Sequence, residues 1–442
     1  MSEILVLGAG RSAGFLIEYL LEWSKDQSFQ VRIADQSVDH LEHLKPSYPK
    51  LLLESVNIQD QEKREALIQG AFIVVSMLPA FMHPIVAADC LKLGVHLATA
   101  SYESAELKDI AKELESKGLI FINECGLDPG IDHMSAMRIF ENLSHRGFKV
   151  TEFHSYCGGL VAPDCVGDNP WKYKFSWNPR NVIVAGQGTA RYLEGGKLRF
   201  LPYHRLFGNS TSFEINGLHY DGYPNRDSIG YREVYGLTDL QTMIRGTLRY
   251  SGFTKAWDLL VQLGLTDDTY NFPLYPGMTY KEFTSAFFCA GNQSIEEQLA
   301  LMAAGDLDAV TKFLWTGLLS DEVITRSSGT PAMIVQDLLE KKWKLLPLDR
   351  DMVIMQHIVH AEKGNEKLKV TSTLYLEGEN NQRTAMAKTV GLPLAIAVKL
   401  ICTGEFKVKG LITPVLPVLY NPILKELEDD FEIRFMESEA YY

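Results

Sequence analysis

Three features of the 442-residue chain point to its fold class. Continuous apolar runs alternate with helical periodicities as far as Cys125, a glycine-rich turn follows the first run, and the texture of the sequence changes after Gly126. Together they predict an α/β protein: a Rossmann-type doubly wound parallel sheet plus a mixed α/β second domain with an inserted helical subdomain.

Ile4–Leu7 is apolar throughout and stops at Gly8, the pattern of a strand buried on both faces. Phe15, Leu16, Tyr19, Leu20 and Trp23 then recur at helical spacing. Further strands are expected at Val31–Ala34, Leu51–Leu53, Phe72–Leu78, Val95–Thr99 and Leu119–Ile122, with helices at Ala66–Ile68, Ile85–Leu93 and Ala105–Ser116. Strands linked by helical crossovers form a parallel sheet. A helix Met134–Leu143 follows. From Thr151 to Tyr250 the text is rich in Gly, Tyr and Phe, with β-like runs at Thr151–Tyr156 and Val182–Ala185. It turns helical at Trp257–Leu263, Ser294–Ala304, Asp306–Leu319 and Thr330–Leu339. Strands return at Met352–Ala361 and Lys367–Glu377, and helices at Leu392–Ile401 and Pro422–Asp429. The expected domains are residues 1–128, then 129–254 with 350–389, and a helical subdomain over 255–349.

Lys and Arg number 43 against 56 Asp and Glu, a net charge of −13 that disfavours nucleic acid and anionic membranes as partners. The six cysteines are dispersed without a CxxC pair, which argues against structural zinc or a disulfide framework and fits a reducing compartment. No metal site is expected. The longest uncharged run, Ala66 to Ala88, is interrupted by Gly70, Pro79 and Pro84, so no membrane span is expected. The N-terminus has no basic segment, and its apolar stretch is too short for a signal peptide. A cytoplasmic protein is expected.

Gly8-Ala9-Gly10-Arg11-Ser12-Ala13 is a G-x-G-x-x-A turn between a strand and a helix. Gly8 permits the turn, Gly10 lets the backbone approach a pyrophosphate, and Ala13 allows close helix packing. The helix start offers its free N–H groups to the phosphates. Arg11 is either a phosphate contact or a solvated first-turn residue. Asp35 ends the second strand, where a carboxylate accepts from both ribose hydroxyls and repels a 2′-phosphate. It predicts NAD rather than NADP, the alternative being a turn residue before Gln36.

Gly126-Leu127-Asp128-Pro129-Gly130-Ile131-Asp132-His133 follows the sixth strand, at the carboxyl edge where open α/β sheets bind ligands. Asp128 is the functional candidate here, although it also suits a helix cap; Asp132 and His133 read as first-turn residues. Ser101-Tyr102 reaches the same edge from the fifth strand. Cys157, in Ser155-Tyr156-Cys157-Gly158-Gly159, ends a β-like run and on its own reads as packing. Two arginine strings, Tyr223-Pro224-Asn225-Arg226-Asp227-Ser228 and Arg245-Gly246-Thr247-Leu248-Arg249-Tyr250, suit a polyanionic ligand or ordinary ion pairing, for instance of Arg226 with Asp227.

In this order these strings, with Ala100-Ser101-Tyr102, Asn123-Glu124, Asp168-Asn169-Pro170, Tyr173-Lys174-Phe175-Ser176-Trp177 and Ala385-Met386-Ala387-Lys388-Thr389-Val390-Gly391-Leu392-Pro393, resemble the glutamate-forming saccharopine dehydrogenases over nearly the whole chain. The resemblance implies nicotinamide-dependent oxidation of saccharopine to glutamate and 2-aminoadipate 6-semialdehyde, or the reverse, by a homodimer in lysine metabolism. It also implies that the segment of about 390–442 rejoins the first domain. It implies cofactor contacts from Ala9, Gly10, Arg11, Ser12, Asp35, Gln36, Asn57, Ile58, Leu78, Ala100, Ser101, Leu127, Asp128 and Pro129. It implies substrate contacts from Ser101, Tyr102, Asp128, Arg226, Thr247, Leu248 and Arg249. Fungal members end the second strand in Cys-Arg, which suits NADP, whereas Ala34-Asp35 is similar to the NAD-using animal domain. The loop after Gly159 also departs from theirs, reading Leu160-Val161-Ala162-Pro163-Asp164 with Cys165 nearby.

Saccharopine carries three carboxylates and a secondary amine, so an acidic protein that holds it needs a local cationic pocket, which Arg226 and Arg249 would supply. Asp128, Tyr102 and Cys157 are the candidates for acid–base work. A carboxynorspermidine dehydrogenase-like enzyme would need fewer anion contacts. A non-catalytic NAD-binding redox sensor would have no use for Ser101-Tyr102 and Asp128 at the sheet edge.

Overall fold

The computed structural model describes residues 2–185 and 187–442. The chain forms two compact units, Met1–Arg146 with Gln382–Arg434 and Gly147–Asn381 with Phe435–Tyr442.

The first unit is built on β1 (Ser2–Leu7), β2 (Phe29–Asp35), β3 (Leu51–Ser55), β4 (Ile73–Ser76), β5 (His96–Thr99) and β6 (Ile120–Ile122). With the short strand Gly410–Ile412 they give a seven-stranded sheet in the order Gly410–Ile412, β6, β5, β4, β1, β2, β3. Every neighbouring pair is parallel. Ile4, Leu5, Val6 and Leu7 are all fully buried, as a strand covered by helices on both faces requires. The chain winds outward through β2 and β3 on one side of β1, then through β4, β5 and β6 on the other. This reversal leaves a crevice outside the carboxyl ends of β1 and β4.

The helix Ala385–Cys402 completes this unit. It is apolar and long enough to cross a membrane by composition, yet it is mostly buried and lies against the helix Gly14–Ser24. Gly391 makes the approach possible, since a Cβ there would sit 3.0 Å from Leu16 N. Two elements differ from expectation within this unit. β4 ends at Ser76, so Met77 and Leu78 leave the sheet, and the stretch Ala105–Ser116 breaks into two short helices at Ile110. The returning segment also stops short of residue 442. Phe435–Tyr441 joins the other unit instead, where it satisfies the backbone edge of the strand Glu366–Glu377.

The second unit carries a nine-stranded sheet. Its path runs Thr211–Ile215, Leu218–Pro224, Thr242–Tyr250, Lys149–Val161, Asp351–Lys363, Glu366–Glu377 and Phe435–Tyr441, and a hairpin of Thr189–Glu194 and Lys197–Pro202 pairs beside Thr242–Tyr250. Only the pair Thr242–Tyr250 and Lys149–Val161 is parallel. Glycines let these central strands crowd together. Tyr156 lies over Gly222 and Gly246, where added Cβ atoms would come within 3.1 and 2.3 Å of its ring. The helices Phe253–Leu263 and Pro331–Lys342 share one core with the sheet through Trp171, Tyr173, Phe175, Phe253, Trp257 and Trp343. Val182–Ala185, expected as β-like, lies at a short helix Pro179–Ile183. The Asn178 side chain accepts from Arg180 N at 3.0 Å and Pro179 sits in the first turn, so the cap overrides the β-branched residues.

Candidate functional site

β1 delivers the chain to Gly8, whose φ of +97° and 3.0 Å approach to the Met77 carbonyl leave no room for a Cβ. Gly10 is exposed, with nothing within 4 Å of the position a Cβ would take, so a pyrophosphate has access to its backbone. No side chain caps the helix Gly14–Ser24, which leaves its first amides for an anion. Arg11 is exposed beside them, and Ser12 is half-buried. These residues fit a dinucleotide. Asp35 closes the turn from β2: Oδ2 accepts from Ala9 N at 2.6 Å and Oδ1 from Gln36 N at 2.5 Å, while His40 Nε2 lies 3.2 Å from Ala9 O.

Of the other expected cofactor contacts, Gln36 and Asn57 are exposed, Leu78 and Ala100 half-buried, and Leu127 and Pro129 buried. Ile58 is buried too, and its carbonyl accepts from Arg64 Nη1 at 2.7 Å. Arg64 in turn pairs with Asp89 at 2.6 Å, a buried ion pair that holds the chain after β3.

Ser101 and Tyr102 follow β5, and the Tyr102 hydroxyl donates to Asp128 Oδ1 at 3.2 Å. A phenol and a carboxylate joined in this way can pass or orient a proton. Asp128 sits in a loop closed by Gly126 N to Pro129 O at 2.9 Å and Ile131 N to Gly126 O at 2.8 Å. Gly130, at φ +146°, allows that closure, since a Cβ would lie 2.0 Å from Gly126 O. The helix begins at Ile131, and Asp132 Oδ1, not Asp128, accepts the Gly130 N–H at 2.6 Å. Asp128 is therefore not the cap. Beneath the loop His133, fully buried, lies 2.9 Å from Glu124 Oε2 and 3.7 Å from Asp132 Oδ2. Glu124 Oε1 also accepts from Glu103 N at 3.0 Å, so this cluster clamps the loop to the chain after β5.

The second unit holds the remaining candidates. Cys157, 8% exposed, pairs in register with Thr247, and Tyr223 pairs with Thr247 from the opposite side. The two arginine strings thus lie on adjacent strands. Arg226 is exposed at φ +49°, and its carbonyl accepts from Arg191 N at 2.8 Å. Asp227 pairs with Arg191 at 2.5 Å. The Leu248 side chain is fully buried, and its carbonyl accepts from Arg249 Nη1 at 2.9 Å. Arg249 is 4% exposed and lies over the rings of Tyr173 and Phe253, at 5.1 and 5.5 Å. Among the described residues no carboxylate forms an ion pair with it, and its Nε has no partner. A buried guanidinium without an anion is costly, and a ligand carboxylate would relieve that cost.

Three buried polar residues were given no role from the sequence, although Asn123-Glu124 is one of the strings that resemble the family. His83 lies 2.7 Å from Ser101 Oγ. Asn123, at the end of β6, has both side-chain amide atoms unpartnered. Glu124 carries the loop clamp. Their signal was position: each directly follows a strand or opens a helix at the carboxyl edge.

Two family models match the chain: the saccharopine dehydrogenase NADP binding domain over residues 4–122 and the saccharopine dehydrogenase C-terminal domain over residues 126–433. The chain belongs to the saccharopine dehydrogenase family. Among family members, saccharopine dehydrogenase [NADP(+), L-glutamate-forming] of Saccharomyces cerevisiae is 33% identical over 451 residues, covering 99% of each chain. The mitochondrial alpha-aminoadipic semialdehyde synthase of Mus musculus is 34% identical over 443 residues, covering 96% of this chain but 46% of that protein. This chain thus spans about half the length of such relatives. The structure of apo saccharopine dehydrogenase (L-Glu forming) from Saccharomyces cerevisiae superimposes with a TM-score of 0.87 at 31% identity over the whole of both chains.

These findings overturn the expectation of NAD over NADP. The family's nucleotide domain is described as NADP binding, and the fungal relatives are named as NADP(+) enzymes. The misreading came from Asp35. Its two oxygens are occupied by the amides of Ala9 and Gln36, so the residue braces the glycine turn.

Proposed function

We propose that this saccharopine dehydrogenase family member oxidises saccharopine to glutamate and 2-aminoadipate 6-semialdehyde, or runs the reverse reaction, using NADP. The observation that carries the reading is Arg249, a buried cation that forms no ion pair with a carboxylate among the described residues, in a chain of net charge −13. A tricarboxylate substrate supplies the missing charge, and guanidinium suits it because its donors are paired in a fixed fork. Arg226 is assigned a second carboxylate, and Thr247 and the Leu248 carbonyl flank Arg249. The dinucleotide, held at Gly8–Ser12 and along the carboxyl edge, accepts or returns a hydride. Tyr102 and Asp128 are assigned to orient the secondary amine and to exchange its proton, with Cys157 as a further candidate beside Thr247. Among the described residues no cluster could hold a metal ion.

We also propose that the enzyme works as a homodimer in a reducing compartment such as the cytosol. Its six cysteines are free thiols, and the edge hairpin exposes Leu198 and Phe200. Phe200→Asp should then shift the mass measured by light scattering toward a monomer. The activity itself is tested by following reduced-cofactor absorbance when saccharopine is added with NADP, with NAD as the comparison and carboxynorspermidine as the competing substrate. Saccharopine-dependent reduction of NADP is expected. No turnover in either direction would discard the reading.

A further inference from the structure

His83 opens the helix His83–Leu93 at the carboxyl edge of the first unit's sheet and is 4% exposed. Its Nδ1 lies 2.9 Å from Ser76 Oγ at the end of β4, and its Nε2 lies 2.7 Å from Ser101 Oγ just past β5. Thr99 Oγ1 is farther from Nε2, at 3.4 Å, and accepts the Ser101 N–H at 3.2 Å. Burial pushes the imidazole pKa from 6.5 down to about 4. Near pH 7 the ring is neutral, with one donor nitrogen and one acceptor.

A neutral ring polarises this chain in one of two directions. Ser76 is 1% exposed, and His83 Nδ1 is the partner of its hydroxyl among the described residues. A buried hydroxyl hydrogen left without an acceptor is costly, so Ser76 donates to Nδ1. Nε2 then carries the ring proton and donates to Ser101 Oγ, which leaves the Ser101 hydrogen for a ligand. We propose that His83 is a positioning residue that locks Ser101 as a hydroxyl donor toward an acceptor oxygen of the bound ligand, either a substrate carboxylate or the nicotinamide carboxamide. The identity of that ligand rests on the saccharopine dehydrogenase reading; the direction of the hydrogen bonds does not.

The first test uses the full chain labelled with 15N-histidine near pH 7, with the His83 signals assigned by their loss in His83→Asn. A neutral ring protonated on Nε2 is expected. A ring protonated on Nδ1, or a charged ring, would overturn the proposal whatever the enzyme's activity. The second test is kinetic. His83→Asn keeps an amide near Ser76 but does not reach Ser101, and should cost roughly five- to tenfold, the net worth of one hydrogen bond. The loss falls on kcat/KM for saccharopine if the acceptor is the substrate, and on NADPH affinity, read by tryptophan fluorescence, if it is the cofactor. His83→Gln, whose amide reaches Ser101, should restore most of it. In a Ser101→Ala background His83→Asn should add nothing. Losses that multiply, or a His83→Asn enzyme unchanged in both parameters, would reject the mechanism. Should His83→Asn fail to fold, Ser76→Ala takes its place, with the same loss expected and the same silence in Ser101→Ala. A wild-type chain that cannot oxidise saccharopine would remove the functional reading and leave the proton assignment to the NMR result.

Discussion

Arg249 separates binding from stability more cleanly than any other side chain. Its charge is buried over Tyr173 and Phe253 with no carboxylate in reach among the described residues. Arg249→Met therefore removes a charged hydrogen-bond donor from the substrate but no ion pair from the fold. The saccharopine KM should rise on the order of 10- to 100-fold, the equivalent of about 1.5–3 kcal/mol. The melting temperature should hold or increase, because an apolar side chain costs less in that setting. Steady-state kinetics and calorimetry on the same preparation check both halves. Asp128 and Tyr102 are joined at 3.2 Å and make the opposite prediction. Asp128→Ala should lower kcat by about 10²-fold or more, the usual worth of a positioned acid or base. Tyr102→Phe, which keeps the ring, should lower it less. An Asp128→Ala enzyme with unchanged kcat would take that residue out of the chemistry.

The loop before the helix Ile131–His145 shows how far local sequence carries. Its glycines, its proline and its place after β6 were legible, because turn residues reveal themselves by type. The buried bracket beneath it was not. Glu124, Asp132 and His133 meet only because the loop closes on itself, and no spacing rule marks a histidine that will lie 2.9 Å from a carboxylate nine residues earlier. His83 was hidden for the same reason, as its partners are Ser76 at the end of β4 and Ser101 just past β5. The hairpin Thr189–Pro202 was missed because its second strand is largely exposed and carries no buried alternation. Asp35 shows the converse, a residue in the expected place whose carboxylate is engaged by the backbone and does not report which cofactor is used. Gly130→Ala tests the loop directly. An added Cβ would overlap Gly126 O, N and C at 2.0–2.3 Å, so the loop has to open. The melting temperature should drop by several degrees, the response to a loss of about 2 kcal/mol or more, and kcat should fall with it. Differential scanning fluorimetry beside an activity assay reads both.

At the scale of the molecule, the alternation of strands and helices announced the parallel sheet, but the route of the last sixty residues did not follow from composition. The chain returns to the first unit at Gln382 and leaves it again at Phe435. Removing residues 435–442 should expose the edge of Glu366–Glu377 while leaving the nucleotide-binding unit complete. NADPH affinity should persist, and the truncated protein should aggregate at lower temperature than the full chain. Size-exclusion chromatography after graded heating tests the second outcome, and fluorescence titration the first.

The late return of the strand Gly410–Ile412 to β6 has a consequence for biosynthesis. A ribosome that adds about 5–20 residues per second needs tens of seconds to travel from β6 to the strand that covers it. Throughout that interval the nascent nucleotide-binding unit has an open flank at β6 and lacks the helix Ala385–Cys402, so its apolar surface stands uncovered in the cell. The polypeptide emerging in between has nearly all of its own sheet in hand first. The unit that begins earlier thus waits for its last elements until nearly all of the other has been made, and a chaperone that shields extended hydrophobic segments would find its substrate there.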